Sequence, residues 1–417
     1  MITSTLSGLR RCRGEATLVA TLFLLGIGWI GEVVAQTEPA HVASRPDGPS
    51  AAEAAAIAEY WTPERMANAI PRNMAPPAAV APTREGESTL APPTLPAGGM
   101  PGFDPDALEP PPYYPMPGLT DAPMPGLSEG PTEDVAAPAS ASYPSAHTTY
   151  EFQGRYLTWP RSPVGKLFFV LNGGNWQCSA SLIGYRHVVT AGHCVSDGAG
   201  HWATNVQFCP SYDIGQSGPN PTVGCWTTNL VTTTSRWHSN GEPDADIGMA
   251  IYGNSGTVRD DYPGNISGWI GYAWNWGIGQ HEEMFGYPAA DRPGNAHNEF
   301  ADFNGGKIYV TSAEEAGYTI NWGTYHDSKF LGTTQTPGCS GGPWVFRYGK
   351  KYLNTWNSNA VNGVNSHQRC WDENPPCADR YMEISSPQFI LYTDDGNCTL
   401  PNCGVVDTIV WTLNNYP

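Results

Sequence analysis

The amino-acid sequence predicts an all-β protein from about residue 150 onward. Short apolar runs recur there between clusters of Gly, Asn, Asp and Pro, among them KLFFVL, SLIGYRHVVTA, IGMAIYG and PWVFRYG. No long stretch has helical periodicity, and runs of this size with frequent turn residues are typical of a sandwich or barrel. Only 14% of the residues are charged, whereas Gly, Pro and aromatic residues are abundant, which also favours a turn-rich β protein.

Residues 1–35 have the pattern of a cleaved secretory signal. Three arginines within residues 10–13 precede an apolar run from Ala16 to Ile30, and Ala35 supplies a small residue for cleavage before Gln36. An uncleaved membrane anchor is the alternative, but the run is short and contains two glycines. We therefore expect a secreted protein, extracellular or periplasmic, that leaves the membrane once the signal is cleaved.

The cysteines fit an exported protein. Removing the signal removes Cys12, and the other nine of the ten cysteines all follow residue 177. Disulfides persist in oxidising compartments, and spacing suggests local pairs Cys209–Cys225 and Cys398–Cys403, although an odd count leaves one thiol over. Cys370 and Cys377 lie near His367 in the sequence, but a disulfide is favoured there over a zinc site, so we expect no metal and no cofactor.

Residues 36–149 are rich in Pro, Ala, Glu and Asp and poor in aliphatic side chains. Such a segment cannot bury enough apolar surface to offset its ordering entropy, so we expect a largely disordered propeptide or linker. The stretch Ala51 to Met66 could order locally. Residues 150–417 then form the folded domain.

The formal charge of −18 excludes some partners. Nucleic acids and anionic membranes both require a basic surface, so neither is expected to bind.

Two phrases carry candidate acid–base chemistry. TAGHC places His193 where an apolar run ends in a turn, and DADIGMA places Asp246 directly before an apolar strand. A lone histidine is more often structural, and an aspartate before a strand is more often a turn residue. A buried carboxylate requires donors to stay ionised, however, and an imidazole N–H is one such donor.

A third phrase, TPGCSGGPW, holds a candidate nucleophile. Ser340 is flanked by glycines, which permit a tight turn and allow backbone N–H groups to face a developing oxyanion. Alone, the phrase describes only a flexible loop. Together with a base and an acid it indicates nucleophilic catalysis.

The three phrases occur in the order His, Asp, Ser, which resembles the chymotrypsin-like and trypsin-like serine peptidases. VGKLFF and GYP further resemble the glutamyl-endopeptidase-like (V8-like) branch, and the likeness covers roughly residues 160 to 370. The resemblance implies two six-stranded antiparallel β-barrels. It also implies Ser340 as nucleophile, His193 as base and Asp246 as the orienting acid, with Asp244 as the second choice.

Further roles follow from the same resemblance. Gly338 and Ser340 would form the oxyanion hole, and a Cys178–Cys194 disulfide would fix the histidine loop. Ser366 would belong to the strand that pairs with the substrate backbone.

The sequence departs from the family at two places. Cys339 stands where trypsin-like enzymes carry the aspartate that pairs with the new N-terminus after activation. Thr334 stands where trypsin carries its specificity carboxylate, so a trypsin-like preference is not expected. Asn365 occupies the usual histidine position of glutamyl endopeptidases, and a preference for Glu or Asp would require His367 to turn toward the pocket near Thr334.

We therefore predict a secreted serine endopeptidase, made as a precursor and acting as a monomer on proteins or peptides. Activating cleavage is expected between about Ala146 and Ser162, where Arg155 and Arg161 are candidates. The alternative is a catalytically inactive homologue that acts as a binding or adhesion protein.

Overall fold

Extended strands dominate the computed structural model, which describes residues 39–46, 48–72, 95–106, 147–151, 157–213, 218–289, 303–321, 324, 326–349, 358–370, 382–400 and 402–417. All of them belong to one unit, Glu38–Pro417. The predicted signal, residues 1–35, lies outside these ranges. None of the helices within them is long and apolar enough to cross a membrane.

The strands, in chain order, are β1 (Val42–Arg45), β2 (Ile70–Pro71), β3 (Gly98–Met100), β4 (His147–Glu151), β5 (Val164–Leu171), β6 (Gly174–Leu182), β7 (His187–Thr190), β8 (Thr204–Pro210), β9 (Trp226–Thr228), β10 (Val231–Thr234), β11 (Gly248–Ile251), β12 (Gly271–Trp274), β13 (His281–Gly286), β14 (Tyr309–Asn321), β15 (Asp327–Thr333), β16 (Pro343–Phe346), β17 (Ala360–Val364), β18 (Gln368–Cys370) and β19 (Met382–Pro387). The α-helices are α1 (Ala51–Tyr60), α2 (Pro63–Ala67), α3 (Ser235–Asn240), α4 (Pro263–Ser267) and α5 (Val405–Asn415).

The first sheet curls around on itself. Its order is β1-β10-β11-β7-β6-β5-β8-β9, with β2 beside β6. Strand β9 pairs with β8 and strand β10 with β11, and only Asn229 and Leu230 separate β9 from β10. The two short strands therefore act as one bent strand that joins the ends of the sheet. Strand β5 is almost entirely buried, and its Lys166 is buried too, donating from Nζ to Gly305 O at 2.7 Å.

The second sheet curls in the same way. Its order is β18-β19-β15-β14-β13-β16-β17-β12-β3, with β4 beside β14. Strands β17 and β18 are separated only by Asn365, Ser366 and His367, and they pair with β16 and β19 at opposite ends of the order. The predicted all-β class with two antiparallel barrels is thus confirmed, and β1, β2, β3, β4 and β12 extend the sheets beyond that core.

The C-terminal segment VVDTIVWTLNN is helix α5, which the sequence alone could not distinguish from a strand. Asp407 lies at its first turn and accepts the main-chain N–H groups of Gly404, Tyr392 and Thr393. The helix packs on the first sheet, where the Thr412 and Thr232 hydroxyls are 2.9 Å apart. The last element of the chain therefore returns from the second barrel to the first.

Pieces of the segment predicted as a disordered arm are ordered where the structure describes them. Strand β1 pairs with β10, helix α1 begins with a capping box between Ser50 and Glu53, and α2 follows at once. These helices coincide with the stretch from Ala51 to Met66 that could order locally. Burial of Ile57, Trp61 and Met66 supplies the apolar area that the composition of the arm as a whole lacks.

Three disulfides join described cysteines: Cys178–Cys194, Cys209–Cys225 and Cys398–Cys403. The last two are the pairs that spacing suggested. Cys339 is fully buried, in a cluster with Met284, Leu331 and Trp344.

Candidate active site

His193 lies where strand β7 ends. A short 3-10 turn, Gly192–Cys194, follows the strand, and the Cys178–Cys194 disulfide ties that turn to β6. Only glycine fits at position 192, since a Cβ there would lie 2.6 Å from Trp237 Cδ1 and 2.9 Å from Asp246 Oδ1. His193 is therefore held close to the carboxylate by its own backbone.

Asp246 is fully buried and accepts hydrogen bonds on both oxygens. Oδ1 accepts the main-chain N–H of His193 at 2.7 Å, and Oδ2 lies 2.8 Å from His193 Nδ1. The Ser366 hydroxyl donates to Oδ2 at 2.5 Å. Burial alone would raise the pKa of Asp246, but the His193 charge and these donors outweigh it and lower the pKa to about 2. The carboxylate is thus ionised at neutral pH and fixes the imidazole.

Asp244, the second choice for the acid, has a different environment. Its carboxylate pairs with the guanidinium of Arg236, and Oδ2 accepts the main-chain N–H of His326 at 2.8 Å. Asp244 thus anchors the short 3-10 turn, Pro243–Ala245, that precedes Asp246.

Ser340 sits in a tight turn that packs against both sheets. The Ser340 carbonyl accepts the N–H of Ser179 at 2.7 Å, and the N–H of Gly341 donates to Asn365 O at 2.7 Å. Gly341 has a φ of +77°, and a Cβ on it would lie 2.0 Å from Thr190 Oγ1. The glycine after the serine is therefore required both by conformation and by space.

Hydrogen bonds also fix the two peptide groups that would supply the oxyanion hole. The carbonyl of Pro337 accepts from Ala289 N at 2.8 Å, and the carbonyl of Cys339 accepts from Asn365 Nδ2 at 2.8 Å and from Gly342 N at 2.9 Å. A trans peptide directs its N–H opposite to its C=O. The N–H groups of Gly338 and Ser340 therefore point away from these three donors, and their orientation is set without the aspartate that Cys339 replaces.

Ser340 and His193 are not hydrogen-bonded to each other. Ser340 Oγ donates instead to the carbonyl of Arg72 at 3.5 Å, and His193 Nε2 is buried with no hydrogen-bond partner among the described residues. Both side chains are enclosed, with Ser340 0% and His193 4% exposed.

The predicted substrate-binding residues do not lie together: two of them contact Asp246 and the others lie elsewhere. His367 Nδ1 lies 2.6 Å from the Ser366 hydroxyl, the His367 and His193 ring centroids are 5.9 Å apart, and burial lowers the pKa of His367 to about 4. Ser366 and His367 thus lie beside Asp246. Thr334 is partly exposed, and no described group hydrogen-bonds its buried hydroxyl.

Asn365 is fully buried, and its side chain is committed to structure. Its amide donates to Cys339 O and to Phe285 O, and its Oδ1 accepts from Trp344 Nε1. The Asn365 side chain therefore holds the turn that carries Ser340 and has no free group to offer a substrate.

Within the described residues, three groups contain enough potential ligands to consider a metal. Cys178 with Cys194, and Cys398 with Cys403, are disulfide-bonded and hold no thiolate to donate. The third group, His193, Asp246 and His367, is hydrogen-bonded within itself and through Ser366. The residues therefore fit a proton-transfer arrangement better than a metal cage.

Two residues at the site were not anticipated, and a third has a role other than the predicted one. Trp237, on helix α3, lies edge-on to His193 with ring centroids 6.1 Å apart, and Arg72 contacts both Ser340 and His193. Asn365 was expected in the pocket and instead orients the Ser340 turn. The only sequence signal for Trp237 is that it is an aromatic residue shortly before Asp246. Nothing in the sequence indicates a role for Arg72.

Residues 165–249 match a family model described as Trypsin. An extracellular metalloprotease of Bacillus subtilis (strain 168) is 26% identical over 175 residues, which cover 41% of this chain and 46% of that protein. The chain therefore spans about half the length of this curated relative.

Among solved structures, the protease Anisep from Arthrobacter nicotinovorans is 26% identical, with a TM-score of 0.42 over 55% of this chain and 91% of its own. The thermostable serine protease AL20 from an extremophilic microorganism is 27% identical, with a TM-score of 0.41 over 55% and 92%. A Glu endopeptidase in complex with MPD is 13% identical, with a TM-score of 0.40 over 58% and 91%.

Proposed function

We propose that this chain, whose residues 165–249 match the family model described as Trypsin, is a secreted serine endopeptidase acting on proteins or peptides. The observation that carries the proposal is the double hydrogen bond between Asp246 and His193, through Nδ1 and the main-chain N–H. Such a bond holds the imidazole in the tautomer that leaves Nε2 available as a base.

In the proposed mechanism, Ser340 Oγ attacks the scissile carbonyl while His193 Nε2 accepts its proton. Asp246 stabilises the imidazolium that forms, and the N–H groups of Gly338 and Ser340 stabilise the oxyanion. His193 then protonates the leaving amine. Water hydrolyses the acyl-enzyme with the same base, which restores Ser340.

Secretion and synthesis as a precursor are parts of the proposal. The signal pattern in residues 1–35, the disulfides and the extracellular relative support export. Of the two candidate activation sites, Arg161 is only 2% exposed, so cleavage there requires local opening. Arg155 lies outside the described residues.

Primary specificity is proposed not to be trypsin-like, because Thr334 supplies no carboxylate. A preference for Glu or Asp would require His367 to leave its contacts with Ser366 and Asp246 and turn toward the pocket. Digestion of a random peptide library, read by mass spectrometry, measures this preference directly. Cleavage mainly after Arg or Lys would contradict our reading of Thr334.

A matched pair of substitutions tests the catalytic roles. Asp246→Asn removes the charge that orients His193, so we expect kcat to fall about 10⁴-fold, as for the equivalent change in related triads. Asp244→Asn leaves the carboxylate of Asp246 in place, so the kcat of this variant should fall far less. Equal losses would show that the effect is structural and would reject Asp246 as the acid.

Labelling of Ser340 tests the enzyme against the inactive-homologue alternative. A fluorophosphonate should modify Ser340 in the purified chain, and Ser340→Ala should abolish both labelling and casein cleavage. Casein cleavage that persists in Ser340→Ala would exclude the proposed nucleophile.

A further inference from the structure

A short segment of the N-terminal arm lies in the candidate active site. Strand β2 runs parallel to β6, with Ile70 opposite Trp176 and Pro71 opposite Gln177. The next residue, Arg72, donates its N–H to Gln177 O at 3.0 Å. The segment therefore pairs with the first half of β6, whose second half pairs with β7, and it ends immediately before Cys178, the residue tied to the histidine loop.

Arg72 contacts both proposed catalytic residues. Its carbonyl accepts from Ser340 Oγ at 3.5 Å, and its Nε donates to the main-chain carbonyl of His193 at 3.2 Å. The guanidinium carbon lies 4.9 Å from the centroid of the Trp176 ring, within the range of a cation–π contact. Desolvation by burial lowers the pKa of Arg72, and the charges of Asp246 and Asp197 partly oppose that shift.

The preceding helices anchor this segment. Trp61 is 2% exposed, donates from Nε1 to Asn205 O at 2.6 Å and packs on Phe168 with ring centroids 5.5 Å apart. The Tyr60 hydroxyl donates to Asn175 Oδ1 at 2.6 Å. Since Trp61 buries a large apolar surface, releasing the segment requires breaking more than the contacts at Arg72.

We propose that residues 50–72 act as a built-in inhibitor that occupies the active site through β2 and Arg72. This inference rests on the proposed endopeptidase function and specifies how the precursor is kept inactive. The Arg72 carbonyl lies 3.5 Å from Ser340 Oγ, and Ser340 is not hydrogen-bonded to His193, so the segment lies where a substrate would have to approach the serine. The covering segment also excludes both substrate and reagent from Ser340.

Tethering makes the inhibitor effective. A segment joined to the site by the chain binds at an effective concentration in the millimolar range, which is lost when the connection is cut. Cleavage between the arm and the peptidase domain would thus allow residues 50–72 to dissociate from the active site and be degraded.

The rate at which a fluorophosphonate labels Ser340 in the full chain tests this inference. Arg72→Ala removes a hydrogen bond from a charged donor and the contact with Trp176, and should speed labelling about 10-fold or more. Trp61→Ala loosens the anchor and should speed it further in combination. Glu59→Ala, at an exposed position on helix α1, is the control and should leave the rate unchanged.

The outcomes separate the two proposals. Equal labelling rates in all variants would overturn the proposal that residues 50–72 inhibit the enzyme, but would not affect the proposal that the chain is an endopeptidase. Absence of labelling in every chain, including the Trp61→Ala/Arg72→Ala double variant, would overturn both. Ser340-dependent cleavage after Arg72 would show that the segment is a substrate, and would overturn its inhibitory role.

Hydrogen exchange checks that the variants fold. Faster exchange confined to residues 50–72, with β5 to β8 unchanged, accompanies release of an inhibitor from an intact barrel. Faster exchange throughout the first barrel would mean that labelling reports unfolding, and would count against the inhibitor.

Discussion

At the scale of single residues, Asn365 is the position whose role differs most from its family counterpart. It was considered as a pocket residue, yet its amide holds the carbonyl of Cys339 at 2.8 Å and its oxygen accepts from Trp344. Because the Cys339 carbonyl and the Ser340 N–H belong to one peptide group, this bond orients a proposed oxyanion donor. A neutral amide thus supports the turn where an ion pair usually does.

Replacing Asn365 by Asp should lower kcat with little change in KM. The variant keeps an acceptor for Trp344 but loses the donors to Cys339 and Phe285, so the Ser340 peptide is no longer held. We expect kcat to fall about 10- to 100-fold, less than the 10²- to 10³-fold loss of removing an oxyanion donor itself. Steady-state kinetics on a peptide substrate, with the melting temperature measured in parallel, provide the test. An unchanged kcat in a folded variant would exclude the positioning role.

At the scale of elements, three neighbouring strands of the second barrel share a buried ionic cluster. Lys329 on β15 pairs with Glu315 on β14 and lies 3.6 Å from Glu282 on β13. Asn362 also donates to Glu282. Each charged group of such a buried cluster depends on the others, because removal of one partner leaves the remaining charge uncompensated.

Lys329→Met should destabilise the protein by about 3–5 kcal/mol, since it leaves buried carboxyl groups without their cation. Lys307→Met is the matched control. Lys307 pairs with Glu151 at 3.0 Å on the surface of the same barrel, and such pairs contribute about 0–1 kcal/mol. Urea unfolding of both variants measures the loss of unfolding free energy. Similar losses in the two variants would show that burial of the ion pair does not determine the size of the loss.

At the scale of the whole molecule, the C-terminus fastens the second barrel back to the first. After β19 the chain forms α5, and the two residues that follow it contact the start of β7: His187 Nε2 lies 2.8 Å from Tyr416 O, and Arg186 donates to Pro417 O at 2.8 Å. His187 is buried, and desolvation lowers its pKa to about 4. Its neutral form is therefore part of the folded state.

The pH dependence of stability should reflect His187. Between its folded pKa of about 4 and the unfolded value near 6.5, the unfolded chain binds more protons, so this contribution is present above pH 6.5 and lost as the pH falls. His187→Gln should reduce the slope of stability against pH in that window by up to about 1.4 kcal/mol per pH unit. His281→Gln, at an exposed ring, is the control.

The difference between these two variants is the informative quantity. Burial raises the pKa of Glu282 to about 8, so Glu282 acts in the opposite sense between pH 4.5 and 8 and complicates the wild-type curve. A His187→Gln slope equal to that of His281→Gln would contradict the assignment.

The sequence alone determined the all-β class, because short apolar runs between turn residues admit few other structures, and it identified the His193, Asp246 and Ser340 phrases. Local chemistry made these visible: a glycine-flanked serine and an aspartate before a strand are recognisable without distant contacts. The sequence also indicated that the stretch Ala51 to Met66 could order locally, but not that it forms helices.

Only the tertiary structure decided which groups meet. The choice of Asp246 over Asp244 at His193, the use of Asn365 to hold the Ser340 turn and the placement of Arg72 over the site all depend on residues far apart in the chain. Arg72 precedes Ser340 by 268 positions. No local pattern encodes such a contact, because it arises from pairing of β2 with β6 in a barrel that forms only when the whole chain folds.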